Sequence, residues 1–425
     1  MSTTPKILLT PIAGDKGGVV TKRLGALMTE VPGVEVFQVK TILKVPDAIE
    51  DPLARLAMAA DEGRAWMHEQ GADVLIWGSV AKETGSLSLR VLPAPGSGTD
   101  QSKATGLGET LDIPSDFSDE LNPLIAAVVI GTFGPTFKGE RARLGEALGG
   151  YMEAIAPMVE SLPGGLLDAQ ELSVLNSIGN VYVAYSHLGG GPKQLGLAVK
   201  AYQQAERRVS KEVKPLAWAS IQDHLAAVLQ ARGQVKKDPK IIRQAAMVYS
   251  TIASALKPAI FPHEWGAAQA NLGRTLYILS GLEAKPEYLK PAGDAYEKAL
   301  TVCNQSANPG RWAEVTNQYG VVLLAFGEES GGEPVLQQAV SKFREALKLH
   351  KRDRTPILWA QTANNLGAAC FALAKRNSQN SLLREASDCF EGATEIYRQH
   401  GIAKQAEVIG KNLHRVQRLL MTRGG

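Results

Sequence analysis

The sequence predicts two kinds of structure in one chain: an α+β domain of order β-α-β-α-β-β over residues 1–115, then an all-α, right-handed solenoid of paired helices. Three observations carry this. Trp218, Trp265, Trp312 and Trp359 stand 47 residues apart. Small and apolar residues recur around each of them at helical spacing. Ahead of them the pattern changes to short strand-like runs separated by amphipathic segments.

From the amino terminus, KILLTPI reads as a strand and Val20–Val31 as a helix with Leu24, Leu27, Met28 and Val31 on one face. VEVFQV is a second strand and Pro52–Gln70 a second helix. ADVLIWGSVAKETGSLSLRVLP follows as two strands joined by the turn ETGS, with Leu87, Leu89 and Val91 alternating against polar residues. Between residues 116 and 170 lie two further helices, LNPLIAAVVIGTF and RLGEALGGYMEAIAPMVESL. They read as a linker and degenerate first unit that joins the two parts.

Residues 171–405 form five units of 47. Counting from the Trp position, which Glu171 fills in the first unit, plus 7 and 8 hold Ile178-Gly179, Leu225-Ala226, Leu272-Gly273, Tyr319-Gly320 and Leu366-Gly367. At plus 24 stand Leu195, Ile242, Leu289, Leu336 and Leu383, and at plus 27 an Ala in every unit. Plus 31 is Tyr202, Tyr249, Tyr296, Phe343 and Phe390. Positions 24, 27, 31 and 34 share one stripe of a helix, and 0, 4, 7, 8 and 11 share another, so each unit is a pair of helices. Runs such as GGGPK and GEESGGEP supply turn residues between them. Residues 406–425 keep Leu413 but replace Trp with Ala406 and Gly with His414, as a polar capping helix would.

The recurring L-G-x2-Y and A-x3-F-x2-A pattern, written here as LGRTL with AGDAYEKAL and as LGAAC with ASDCFEGA, resembles the tetratricopeptide repeat. The likeness covers 171–405, although units of 47 residues exceed the usual length of about 34. The first strand and the segment GADVLIWGSVAKETGSLSLRV look like the TolB amino-terminal-like domain, found in bacterial proteins beside such repeats, and imply no catalytic residues. In arrays of this kind the first helix of each unit lines a concave face. Carried over, that face is Asn176, Asn180, Asp223, Gln230, Arg274, Tyr277, Glu314, Asn317, Gln361, Asn364 and Phe371. It is rich in amides, which both donate and accept, and so suits a peptide or protein partner.

The sharpest enzymatic candidate is GDKGGVVTK, in which Gly14, Lys16, Gly17, Gly18, Thr21 and Lys22 could cradle a phosphate before the first helix. ATPases of the ParA and MinD kind carry KGGVGKT there. Here Val20 replaces a required Gly and the Thr and Lys are exchanged, so the chain is expected to be no enzyme and to need no cofactor. The 46 basic and 43 acidic residues argue against a nucleic-acid binder. Neither a signal-peptide pattern nor a run long enough to cross a bilayer is present, so a cytoplasmic protein without membrane insertion is expected. Cys303, Cys370 and Cys389 have no metal-ligand spacing, and Cys370 and Cys389, near core columns, read as buried thiols. The expected function is an adaptor or scaffold, with self-assembly through an imperfect cap as its variant. The alternatives are a regulator whose α/β domain senses a small molecule or nucleotide, and a degenerate P-loop-like nucleotide-binding protein.

Overall fold

The computed structural model describes residues 4–46, 52–94, 109–133, 138–330 and 332–424. The chain divides into two compact units, Met1–Val235 and Lys236–Gly425, with the division falling inside the second repeat.

The first unit opens with β1 (Lys6–Leu9), α1 (Val19–Thr29), β2 (Glu35–Gln38), α2 (Pro52–Gln70), β3 (Val74–Val80) and β4 (Ser86–Pro93), the order expected from the sequence. A fifth strand, β5 (Leu111–Pro114), extends the sheet and was not expected. The strand order is β2-β1-β3-β4-β5, with β2, β1 and β3 parallel and β4 and β5 antiparallel. Ile7, Leu8 and Leu9 of β1, which lies between β2 and β3, are fully buried, because helices cover both faces of the sheet. Leu8, Leu75, Trp77 and Leu92 pack with Ala59, Ala60 and Met67 of α2. On the other side Gly25 of α1 lies against Leu9, where a Cβ would sit 3.6 Å from the leucine side chain.

Two helices then lead to the repeats: α3 (Asn122–Thr132) and α4 (Lys138–Ile155). α3 contacts β3, β4 and α1 as well as α5 (Asp168–Tyr185), the first helix of the first repeat. That double contact explains an apolar stretch in which every residue from Leu124 to Thr132 is buried. Helix α6 (Gln194–Glu206) completes the first repeat and α7 (Pro215–Lys236) begins the second.

The second unit holds α8 (Pro239–Ala255), α9 (Pro262–Glu283), α10 (Leu289–Val302), α11 (Pro309–Ser330), α12 (Glu333–Leu347), α13 (Pro356–Asn377), α14 (Asn380–Gln399) and α15 (Ala403–Thr422). Each helix from α8 to α15 packs on the next. Helices α5, α7, α9, α11, α13 and α15 begin at 168, 215, 262, 309, 356 and 403, so the 47-residue period holds without a slip. Four of them start on Pro, which tolerates the first helical turn because the missing N–H has no partner there. The same tight turn precedes each: Lys214, Phe261, Asn308 and Thr355 donate their backbone N–H to the carbonyls of Ser210, Lys257, Asn304 and Lys351.

Inside the units, the plus-8 glycine and the plus-31 aromatic prove to be partners. A Cβ added at Gly179, Gly273, Gly320 or Gly367 would lie 2.4, 2.8, 2.7 or 2.9 Å from the ring of Tyr202, Tyr296, Phe343 or Phe390. In these four units the bare backbone leaves room for the ring against the first helix, whereas the second unit carries Ala226 in this column. The reversal between the helices follows expectation in the first repeat, where Gly189 and Gly191 of GGGPK take φ 131° and 77°, and differs from it in three others. Lys237, Ala284 and Ser378, at equivalent places, turn the chain in the left-handed region at φ 50°, 52° and 57°, so no glycine run is needed there. The Trp position is a packing position, as expected. Trp218 is buried and the other three are half-buried. The Trp265 indole donates to the Ala253 carbonyl at 3.0 Å, joining α9 to the preceding α8, and Trp359 lies against Gly392 under the Arg352 guanidinium.

Candidate partner-binding face

The glycine loop before α1 already contains an anion. Asp15 accepts from Val20 N at 3.2 Å, Thr21 N at 2.9 Å and Thr21 Oγ1 at 2.8 Å. Burial opposes ionisation of this carboxyl, yet these hydrogen bonds hold it below the usual carboxylate range. The amides that would face a phosphate are therefore in use. Thr21 Oγ1 also accepts from Ile12 N at 3.0 Å. Gly14 is fixed at φ 77° close to the Val80 carbonyl, Gly17 and Gly18 are left-handed, and Lys16 and Lys22 are exposed. Val20 is buried in the domain core. Gly14, Lys16, Gly17 and Gly18 precede α1 and Thr21 and Lys22 lie in its first turn, and the arrangement is that of a self-capped helix start.

On the first repeat, the expected groove residues Asn176 and Asn180 are buried, and the chain itself covers them. Glu109, just ahead of β5, accepts from Asn176 Nδ2 at 2.6 Å and from Asn180 Nδ2 at 3.3 Å, and lies 3.3 Å from His224 Nε2. His224 Nδ1 is 2.9 Å from Asn176 Oδ1. Tyr202 donates its hydroxyl to Asn180 Oδ1 at 2.6 Å. Burial, and then the nearby carboxylates of Glu109 and Asp223, push the Tyr202 phenol well above its ordinary value, so it remains a donor. Three residues before Asn176, Ser173 Oγ donates to the Thr110 carbonyl and accepts from Asp112 N, both at 2.8 Å. An extended piece of the chain thus crosses the first repeat at plus 2, 5 and 9, with its carboxylate held by amides.

In the second unit the plus-5 column has a different use. Asn317 is buried, and its Oδ1 accepts from Asn365 Nδ2, at plus 6 of the next unit, at 3.2 Å. Asn176 with His224 is the same pairing in the first unit. Plus 5 therefore lies in the seam between consecutive first helices, not on their open side. Gln230, at plus 12 of the second repeat, is also buried and has its own interactions. Four of the eleven expected residues, Asn176, Asn180, Gln230 and Asn317, are thus removed from an open surface. Asp223, Arg274, Asn364 and Phe371 are half-buried, and Tyr277, Glu314 and Gln361 are exposed. On α9, α11, α13 and α15 the columns at plus 2, 9, 12 and 16 contain no buried residue. That is the open stripe.

Sequence reasoning treated α15 as a polar cap and left it out of the face. It begins at the position of a first helix, and Lys404, Lys411, Arg415 and Arg418 fall on its exposed side at minus 2, plus 5, plus 9 and plus 12. Extending the column count one unit further was the signal that could have found them. Glu407 is the single acid on this helix, paired with Lys411 at 2.8 Å. Cys370 is buried and Cys303 and Cys389 are half-buried; burial pushes the Cys389 thiol up to about 12 and raises Cys370 and Cys303 as well. Among the described residues no group of His, Cys, Asp and Glu is placed to hold a metal ion. No described helix is long and apolar enough to cross a membrane.

The chain matches no protein-family model, and comparison with curated proteins returns no match. What can be said of its function therefore comes from the geometry.

Proposed function

We propose that the chain is a non-enzymatic scaffold that holds a peptide or protein partner along the first helices of its repeats, in the manner of a tetratricopeptide array. The observation that carries this reading is the constant phase of the open stripe. Four first helices begin 47 residues apart, and each leaves plus 2, 9, 12 and 16 uncovered. The stripe is built on packed helices whose aromatic and glycine positions are locked together, so little ordering accompanies binding. Its side chains are mixed in kind, from Tyr277 and Phe371 to Gln361, Glu314 and Lys375. Many modest contacts over such a surface give specificity by register. The α/β domain then acts as a fixed end, since its Glu109 segment fills the face of the first repeat.

Photocrosslinking in the source cells tests this. A benzophenone amino acid at Tyr277 or Gln361, on the open stripe, is expected to trap one defined protein. The same group at Asp388, exposed on the second helix α14, is expected to trap none. Equal crosslinking from both sides would overturn the reading.

A further inference from the structure

We infer that the carboxyl-terminal end of this face, Gln361 and Asn364 of α13 with Lys411, Asn412, Arg415 and Arg418 of α15, takes an extended acidic segment of a partner protein and grips it by its carboxylate side chains. This rests on the scaffold reading and gives it a partner chemistry.

The chain supplies its own example of such a grip. Glu109 to Asp112 crosses the first repeat, and four positions hold it: Ser173 at plus 2, Asn176 at plus 5, Asn180 at plus 9 and His224 at plus 6 of the next first helix. Moved four units along, these columns read Gln361, Asn364, Ala368 and Asn412. Three of the four remain side chains that can donate to a carboxylate. The fourth is small and leaves room.

Here the columns are uncovered. Gln361 is exposed, and Asn364 and Asn412 are half-buried where Asn176 is buried beneath Glu109. Plus 5, sealed in Asn317, is exposed in Lys411. What replaces the covering segment is positive charge: Lys404, Lys411, Arg415 and Arg418 share one exposed stripe with only Glu407 against them. Charge-assisted bonds from Lys and Arg are stronger than those from amides alone, so an acidic segment gains most at this end. A second copy pairing α15 with α15 would bring like charges together. An acidic partner would not.

The test is fluorescence anisotropy of the full chain with a fluorescein-labelled, acetylated and amidated peptide GETLDGETLD, built on the sequence of the self-bound segment. Binding that weakens with salt is expected, as is a loss of about tenfold or more for the neutral peptide GQTLNGQTLN and for the charge-reversed variant K411E/R415E/R418E. Asn364→Ala should weaken it several-fold. Circular dichroism checks the fold, and K411Q/R415Q/R418Q serves where charge reversal disturbs it. Equal affinity for the neutral peptide, indifference to all these substitutions, or preference for phosphatidylserine vesicles or single-stranded DNA would overturn the inference. If Gln361 crosslinks a partner but the acidic peptide does not bind, this inference falls and the scaffold reading stands.

Discussion

The first and last repeats are built on the same columns and put them to opposite use. In the first, Asn176 and Asn180 are buried beneath Glu109, and α5 is fastened to the β5 edge through Ser173. In the last, Asn364 is half-buried and Gln361 is exposed. The contrast shows that the period fixes where a side chain stands, while its neighbours decide whether it is structure or surface. A groove residue cannot be assigned from its column alone.

The largest expected effect removes the frame that both regions share. Phe390→Ala empties the space against Gly367 and should cost ~3–5 kcal/mol, measured by urea unfolding of the full chain. Gly367→Val approaches the same contact from the other side, where even a Cβ would lie 2.9 Å from the ring, and should cost ~1–3 kcal/mol in the same assay. Both substitutions spare the open columns. A loss of stability far below these values would mean that the ring and the bare backbone do not depend on each other.

Smaller in effect, but sharper for the contrast itself, is Asn176→Ala. It leaves the Glu109 carboxylate short of its closest donor in a covered site and should cost ~1–3 kcal/mol. Asn364→Ala, in the equivalent column, should cost almost nothing, because no described carboxylate faces it. Similar losses at the two positions would erase the distinction between the sealed end and the open one.

Much of this was legible in the sequence. The 47-residue period gave helix starts that the structure reproduces from α5 to α15, because four tryptophans, the plus-31 aromatics and the plus-27 alanines all answer one packing constraint. What failed did so for local reasons. Strand β5 has four residues and no alternation long enough to register, and its partner β4 identifies it only in three dimensions. The Glu109 grip joins residues 67 and 71 positions apart, beyond the reach of any periodic pattern. A helical wheel gives the direction of plus 5 but not the width of the seam that Asn317 and Asn365 close. The glycines of the loop before α1 stand out in the sequence, but the hydrogen bonds through which Asp15 caps the helix exist only in three dimensions.

Two smaller predictions probe the second unit. His350 is buried with Nδ1 2.8 Å from Thr362 Oγ1. Burial lowers its pKa, with Glu314 acting in the opposite direction. As pH falls below the unfolded histidine value of about 6.5, the unfolded chain therefore takes up the proton first. Stability from this site is full above that pH and lost below it, and His350→Leu should flatten the acid side of a melting-temperature profile. Last, the raised thiols of Cys370 and Cys389 should resist a disulfide reagent at neutral pH until denaturant is added, because little thiolate forms in the folded protein.

Hydrogen exchange of the full chain, with and without the GETLDGETLD peptide, tests the central claim most directly. If the open columns at the carboxyl-terminal end are the binding face, exchange slows in residues 356–377 and 403–422 and is unchanged in 168–185, where Glu109 already sits. Protection centred on 168–185, or none in either helix of the last pair at saturating peptide, would contradict the account.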